Sequence, residues 1–370
     1  MRSFIPFGDP WKLEIQVPYS LLVNDRDLSW TCGQVPLDSN SKVLAPDDLI
    51  GQTRVVCDHI EVILGKNGIP PGALGKLVLY YVRREAGDVD RMMAYCRERF
   101  GSRPVLVPVA VPYFYYDGML LEVDAFGCTA NRATLERSGD GAQVKIAYVG
   151  ELAWVALTVD PARATEGFAL LQSALSDIGV SSDQRLHEHW IAPNGRVADM
   201  VDILQRAGLI SDEGSLVEST DLTAPLVGEL TYVRGRSRKV VGETREVGDV
   251  RVVSRRSGRF IWLSGRSLDP KLGLVAQTRK LMNVLAETLA AEGMDFRSVV
   301  KSTSHYVGGS TPEELYENMK VRNDYYQRPG PASTGLPVLR LADRNSRIAV
   351  DFLALNGPNT DDEANAPSTR

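Results

Sequence analysis

The search for chemistry starts with the histidines, cysteines and clustered aromatic residues. His187 and His189 stand two apart in a segment that reads as a strand, which puts both imidazoles on one face. Two imidazoles are half of a zinc set, but no third ligand stands near them in the sequence, so no metal and no other cofactor is expected. Cys32, Cys57, Cys96 and Cys128 have neither CxxC nor zinc spacing and read as free thiols of a reducing cytoplasm. His305 has the chemistry of a general base, weighed against a hydrogen-bonded structural role. Tyr113, Phe114, Tyr115 and Tyr116 form an aromatic run, either a lid over a flat ligand, with Tyr115 as a substrate contact, or a packed hairpin. The basic residues of 234–239 read as a solvated linker rather than a nucleic-acid patch.

The elements that must position these residues repeat along the chain. Gln52-Thr53-Arg54 and Gln277-Thr278-Arg279 each open a helical pattern that ends 16 residues after the Gln, at Gly68 and Gly293. Each terminal glycine suits the left-handed position that closes a helix. Before each helix runs an apolar strand holding Trp30 or Trp262, and a third such strand holds Trp154, with a glycine-capped helix at 167–179 after it. The spacings predict strand, strand, helix, strand, helix, strand, strand, three times over. The expected fold is α+β, as three units at 12–127, 143–235 and 248–356, with linkers at 128–142 and 234–249 and a disordered tail at 357–370.

Composition narrows the function classes. The chain has 370 residues, 44% hydrophobic and 24% charged, with a net charge of −5. A mildly acidic chain has no overall attraction to nucleic acid or anionic lipid. No apolar run reaches the ~18 residues of a membrane span, and no signal peptide is evident at the start. A cytoplasmic protein is expected, with neither nucleic acid nor membrane as partner.

The first unit resembles the reactive intermediate deaminase (Rid, YjgF-type) family. The likeness rests on Val17-Pro18-Tyr19, the run Thr31 to Asp38, and Gln52-Thr53-Arg54. The third unit resembles it again through Ser264-Gly265, Gln277-Thr278-Arg279 and the run Gly330 to Thr334. The middle unit is a degenerate match. The resemblance implies a chorismate-mutase-like fold and, because family members form trimers of single-domain chains, three units closing into an intramolecular pseudo-trimer. The chain is then expected to be a monomer or a dimer.

The resemblance also implies roles. Family deaminases hydrolyse imines and enamines, with an Arg gripping the substrate carboxylate and a Glu moving protons. Arg103 matches that Arg, Glu122 that Glu, and Tyr19 the family's tyrosine, while Cys32 stands where many members have Ser. A guanidinium fork holds a carboxylate bidentately, and a half-buried Glu with a raised pKa transfers protons near neutrality. In the third unit Ser333 falls at the Arg position and Ala349 at the Glu position. Its cleft candidates are Arg251, Ser264, His305, Ser333 and Asp351. In the second unit Glu218 falls at the Arg position and Glu229 at the Glu position. The expected function is hydrolysis or tautomerisation of a small imine or enamine bearing a carboxylate. The alternatives are a chorismatase-like lyase and a non-catalytic binder of a small carboxylate.

Overall fold

The computed structural model describes residues 2–130, 132–210, 215–221, 225–235, 238–308 and 312–357. An edge strand β1 (Arg2–Pro6) precedes β2 (Ser20–Asp25), β3 (Leu28–Thr31), α1 (Leu49–Lys66), β4 (Leu74–Tyr81), α2 (Asp88–Phe100), β5 (Val105–Ala110) and β6 (Leu121–Cys128). The same order follows in β7 (Arg132–Gly139), β8 (Ala142–Val149), β9 (Leu152–Val159), α3 (Ala164–Asp177), β10 (Arg185–Ala192), α4 (Val197–Arg206), β11 (Ser215–Glu218) and β12 (Leu226–Val233). It returns in β13 (Val241–Val247), β14 (Val250–Ser257), β15 (Phe260–Ser267), α5 (Leu274–Ala291), β16 (Val299–Tyr306), α6 (Pro312–Asn323), β17 (Ala332–Pro337) and β18 (Ile348–Leu355).

Three strand–strand–helix–strand–helix–strand–strand sets are therefore present, each with one strand more than the sequence announces. The segments that read as linkers are largely the edge strands β7 and β13, each antiparallel to the strand that follows it. Their residues are mostly exposed, and six of the fifteen are charged, so no apolar alternation marks them. Backbone hydrogen bonds rather than burial hold them, and charge protects the open edge. The tail from residue 358 onward lies outside the described residues.

The repeated glutamine has one job in both places. Gln52 Nε2 donates to the carbonyls of Ala45 (3.0 Å) and Gly118 (2.6 Å), and its Oε1 accepts from Leu120 N at 2.7 Å. Gln277 likewise donates to Asp269 and Asn345 and accepts from Arg347 N. A helix is thereby tied to the loop entering the last strand, and no apolar residue can make those bonds. The helices bury one stripe: Leu274, Leu281, Leu285 and Leu289 of α5 are all within the core.

The first and third sets share one 12-stranded sheet, joined where β17 meets β2, and the second forms a six-stranded sheet. The contacts run head to tail. β4 and β5 pack on β8 and β9, β10 packs on β14 and β15, and β16 and β17 pack on β2 and β3.

Register makes residues of the three sets correspond. Opposite Asp124 stands Val78, opposite Glu229 stands His189, and opposite Asp351 stands Thr303. Two residues earlier on β4, β10 and β16 stand Lys76, His187 and Lys301. Two of these reach a carboxylate across the contact. Lys301 Nζ donates to Asp124 at 2.7 Å, to Thr334 Oγ1 at 2.7 Å and to the Thr31 carbonyl at 3.0 Å. Lys76 pairs with Glu229 and lies over the Phe126 ring, 3.7 Å from its centroid. All four charged residues are buried.

Removing one partner of such a pair strands the other charge in a low-dielectric interior. Lys301→Met is expected to cost about 3–5 kcal/mol in denaturant unfolding, and the double variant Lys301→Met with Asp124→Asn distinctly less than the sum of its parts. Additive costs would show that the two residues do not act as a pair.

Candidate functional site

A cavity of about 120 Å³ opens between the first and third sets. It gathers Glu122, Tyr19, Cys32, Tyr115 and Ser333, five of the residues the sequence singles out. Glu122 projects from β6 on the same face as Asp124, opposite Tyr80 of β4. Its carboxyl is raised to about 8 by burial, by the Asp124 charge two residues on, and against the opposing pull of Lys301. Gly33 makes room for it, since a Cβ there would overlap the Glu122 carboxylate.

Tyr19 lies beside Ser333 and in the field of Arg322, with burial holding its phenol above the usual range. Its hydroxyl has no hydrogen-bond partner within geometry among the described residues. Tyr115 meets Tyr113 hydroxyl to hydroxyl at 3.3 Å, and Tyr113 donates to the Gly308 carbonyl at 3.1 Å. The aromatic run thus bridges the first set to the third. Cys32 is buried, its thiol pushed well up by burial, and it accepts from Gln34 Nε2 at 3.2 Å. That environment disfavours a thiolate nucleophile.

Arg103 is not in the cavity. It is exposed, ahead of β5, with the like charge of Arg132 nearby. Register explains the misplacement: Val105 stands beside Lys76 and Ala332 beside Lys301, so Ser333 corresponds to Leu106 and Arg103 to Gly330. The guanidinium in the cavity is Arg322, from the last turn of α6. It is buried, donates through Nη1 to Ser304 Oγ at 2.9 Å, and lies against Gly335, where a Cβ would stand 3.1 Å from Nη2. Its Nε has no partner among the described residues. Nothing in the repeat marks this arginine, because it comes from a helix end of a different set.

A second contribution was equally hidden. In the second and third sets the edge strand turns into the next strand through two residues, 140–141 and 248–249, whereas β1 and β2 are separated by residues 7–19. That longer loop brings Phe7, Trp11, Leu13 and Ile15 over the cavity. Trp11 Nε1 donates to Gln34 Oε1 at 2.9 Å, and Phe7 meets the Trp11 ring edge-on at 5.0 Å.

The third-unit candidates do not form one cleft. Ser333 lines the cavity just described, Arg251 pairs with Glu246 at 2.6 Å, and Ser264 stands opposite Asp351. His305 stacks on His189 of the second set at 4.5 Å, with planes 8° apart. The corresponding opening between the first and second sets is larger, about 640 Å³, and has Ala156, Val227 and Leu106 where the cavity has Cys32, Glu122 and Ser333. Register therefore corrects Glu229 as well: it corresponds to Asp124, and Val227 to Glu122. Glu218 donates no charge to a cleft; it accepts from Gly195 N at 2.6 Å and sits 3.6 Å from Arg340. Arg238 of the basic run pairs with Glu151. Among the described residues no helix is long and apolar enough to cross a membrane.

No family model matches the chain. It is similar to a mouse 2-iminobutanoate/2-iminopropanoate deaminase, 30% identical over 133 residues that are 33% of this chain and 93% of the relative. It is also similar to a RutC family protein of Pyrococcus horikoshii, 29% identical over 109 residues, 29% of this chain and 84% of that protein. Among solved structures, a YjgF-family protein from Mycobacterium tuberculosis matches at 24% identity and a TM-score of 0.30, covering 35% of this chain and 100% of that one. Each relative is about a third as long as this chain, which belongs to the Rid/YjgF (RutC) family.

Proposed function

We propose that the three sets are Rid units joined in one chain, at 12–127, 143–235 and 248–356 with an edge strand added to each, and that they close as an intramolecular trimer. The cavity between the first and third units is its active site. There the protein hydrolyses a small imine or enamine bearing a carboxylate and an apolar side chain. Glu122 carries this reading: an acid raised to about 8, facing an apolar, aromatic-walled space that also holds one buried guanidinium. The mouse relative's name places imine deamination within the family.

Arg322, rather than Arg103, anchors the carboxylate. Protonated Glu122 donates to the enamine carbon, giving an iminium and a Glu122 carboxylate. Water adds to the iminium carbon as the carboxylate takes one of its protons. Glu122 then returns that proton to the amine, the C–N bond breaks with release of ammonia, and the hydroxyl proton passes to Glu122 as the keto acid forms. One carboxyl thus serves each proton transfer in turn. The free Tyr19 hydroxyl and Ser333 lie where they can donate to the oxygen and nitrogen of the carbinolamine. Phe7, Trp11 and Tyr116 exclude bulk water and favour an apolar substituent.

Imines generated in situ from amino acids, with keto-acid release followed, test the reading. Glu122→Gln is expected to lower kcat by about 10²–10⁴-fold, and full activity in that variant sinks the proton-transfer role. Arg322→Lys is expected to raise KM by roughly 10–100-fold, whereas Arg103→Lys changes it by less than about twofold. The reverse pattern would restore Arg103 as the anchor. Pyruvate release from chorismate without imine turnover would replace the hydrolase by a lyase, and binding without turnover would replace it by a carboxylate binder.

Stability follows the same carboxyl. Its folded pKa of about 8 lies above the ordinary 4.5. Folding therefore favours the protonated form, a stabilisation complete below 4.5 and lost as pH rises through 8. Glu122→Gln escapes that loss. Its melting temperature is expected to gain on the parent between pH 4.5 and 8 and to keep a constant lead above it; a lead that is independent of pH contradicts the raised carboxyl. Light scattering is expected to give a particle of one or two 40.6 kDa chains, and an obligate trimer of chains contradicts intramolecular closure.

A further inference from the structure

The contact between the second and third sets differs from the other two in charge. Across the first contact Lys76 faces Glu229, and across the third Lys301 faces Asp124. At the corresponding place the second set carries His187, which stacks on Trp262 at 3.6 Å and has no hydrogen-bond partner on either ring nitrogen among the described residues. The carboxylate it would serve, Asp351, is buried; Ser264, Trp262 and the charge of Arg266 act on it, and its Oδ1 has no hydrogen-bond partner within geometry. No lysine reaches it among the described residues.

What does reach it is a pair of histidines. One ligand atom from each of His189, His305 and Asp351 lies within 4.8 Å of the others, and all three residues are buried. Ser215 Oγ lies 2.6 Å from His189 Nδ1 and donates to the Glu188 carbonyl at 3.4 Å. Ser215 can accept from Nδ1–H and pass its own proton to that carbonyl, the tautomer in which Nε2 keeps its lone pair. Nε2 has no hydrogen-bond partner among the described residues. A partner on the far ring nitrogen is what metal-ligating histidines usually have behind them. Neither nitrogen of His305 has a partner within geometry. Three buried polar side chains from two sets, each with an unpaired atom and all within 4.8 Å of one another, form a costly arrangement unless something joins them.

We propose that His189, His305 and Asp351 bind one divalent transition-metal ion of the zinc class at the contact between the second and third sets. Two neutral imidazoles and one carboxylate are a borderline-soft donor set that suits zinc, cobalt or nickel and not magnesium or calcium. Bonds of about 2.0–2.2 Å bring such ligands to within about 3.5 Å of one another, which requires the imidazoles, stacked with planes 8° apart, to rotate so that their lone pairs converge. The ion gives Asp351 the positive partner that Lys76 and Lys301 give to Glu229 and Asp124; the buried Arg255 at the same contact is engaged by Glu188 at 2.8 Å. This assignment stands apart from the imine chemistry, because Glu122 and Arg322 lie at a different contact.

The test is metal content of the full chain produced in zinc- or cobalt-supplemented medium and freed of loose ions by gel filtration. The expected result is about one equivalent per chain by elemental analysis. The cobalt form should show the visible absorption of a tetrahedral or five-coordinate ion with nitrogen and oxygen ligands. His189→Gln, His305→Gln and Asp351→Asn keep side-chain shape and remove a donor or its charge. Each is expected to reduce retained metal at least tenfold and change the cobalt spectrum, and the zinc-loaded parent should melt above the metal-free parent. Substoichiometric metal in the parent with no zinc-dependent rise in melting temperature overturns the proposal. So does full retention of metal in all three variants. Should a variant fail to fold, the parent's cobalt spectrum decides alone: octahedral bands of low intensity, or none, place any metal elsewhere.

Discussion

A buried ammonium facing a buried carboxylate across a strand contact is the constraint on which the arrangement of this protein depends. Lys301 is held by three acceptors contributed by two sets: Asp124 and the Thr31 carbonyl from one, Thr334 from its own. Apolar contacts between sheets tolerate sliding, but a charge withdrawn from water does not tolerate losing its partner. A one-residue slip of β16 would turn Lys301 to the other face of its sheet. The pair therefore fixes both the register within the sheet and the way one set meets the next.

The same pair sets the chemistry of the cleft beside it. Asp124 and Glu122 are two residues apart on one strand and so share a face. Lys301 pairs with Asp124 and also pulls on Glu122, where burial and the Asp124 charge outweigh it. The result is one carboxylate paired with a lysine across the contact and one carboxyl, raised to about 8, that faces the cavity. Arg322 lines the same cavity, bonded to Ser304 and with no carboxylate ion-paired to it among the described residues.

Much of this was legible in residue types and spacing. Gln52 and Gln277 announced the repeat because a polar residue buried at the start of a helix must find the same three backbone partners each time. Trp30, Trp154 and Trp262 marked the central strands because a large apolar ring has few places to go. Glu122, Tyr19 and Cys32 line one cavity, Glu122 from β6 and the other two from the residues directly flanking β2 and β3. Arg322 was not legible: local patterning says which face of α6 is polar, not which distant set that face will meet. Arg103 failed for a related reason. Parallel strands such as β4 and β5 are joined through a whole helix, so their register cannot be counted along the chain, and an offset of three residues exchanged Leu106 for Arg103 in the comparison with Ser333. His189, His305 and Asp351 are separated by 116 and 46 residues in the chain; pairing of β16 with β18 brings the last two near each other, and the contact between two sheets adds His189.

Carrying three sets in one chain has a consequence that three separate subunits cannot have. In an assembly of identical chains every substitution alters all clefts at once, so a residue essential in one is retained in all. Here each contact has its own sequence. The first–second opening has exchanged its acid for Val227 and its hydroxyl for Leu106, and the second–third contact has exchanged a lysine for His187. The one cleft that keeps Glu122 is also the one that the loop at 7–19 can cover, because only the first edge strand is followed by a loop long enough to carry Trp11 across to it. Lengthening that turn in the other two sets would have had no acid to enclose. The cover and the acid thus belong to a single site, and the remaining two contacts have been left free to serve the interior.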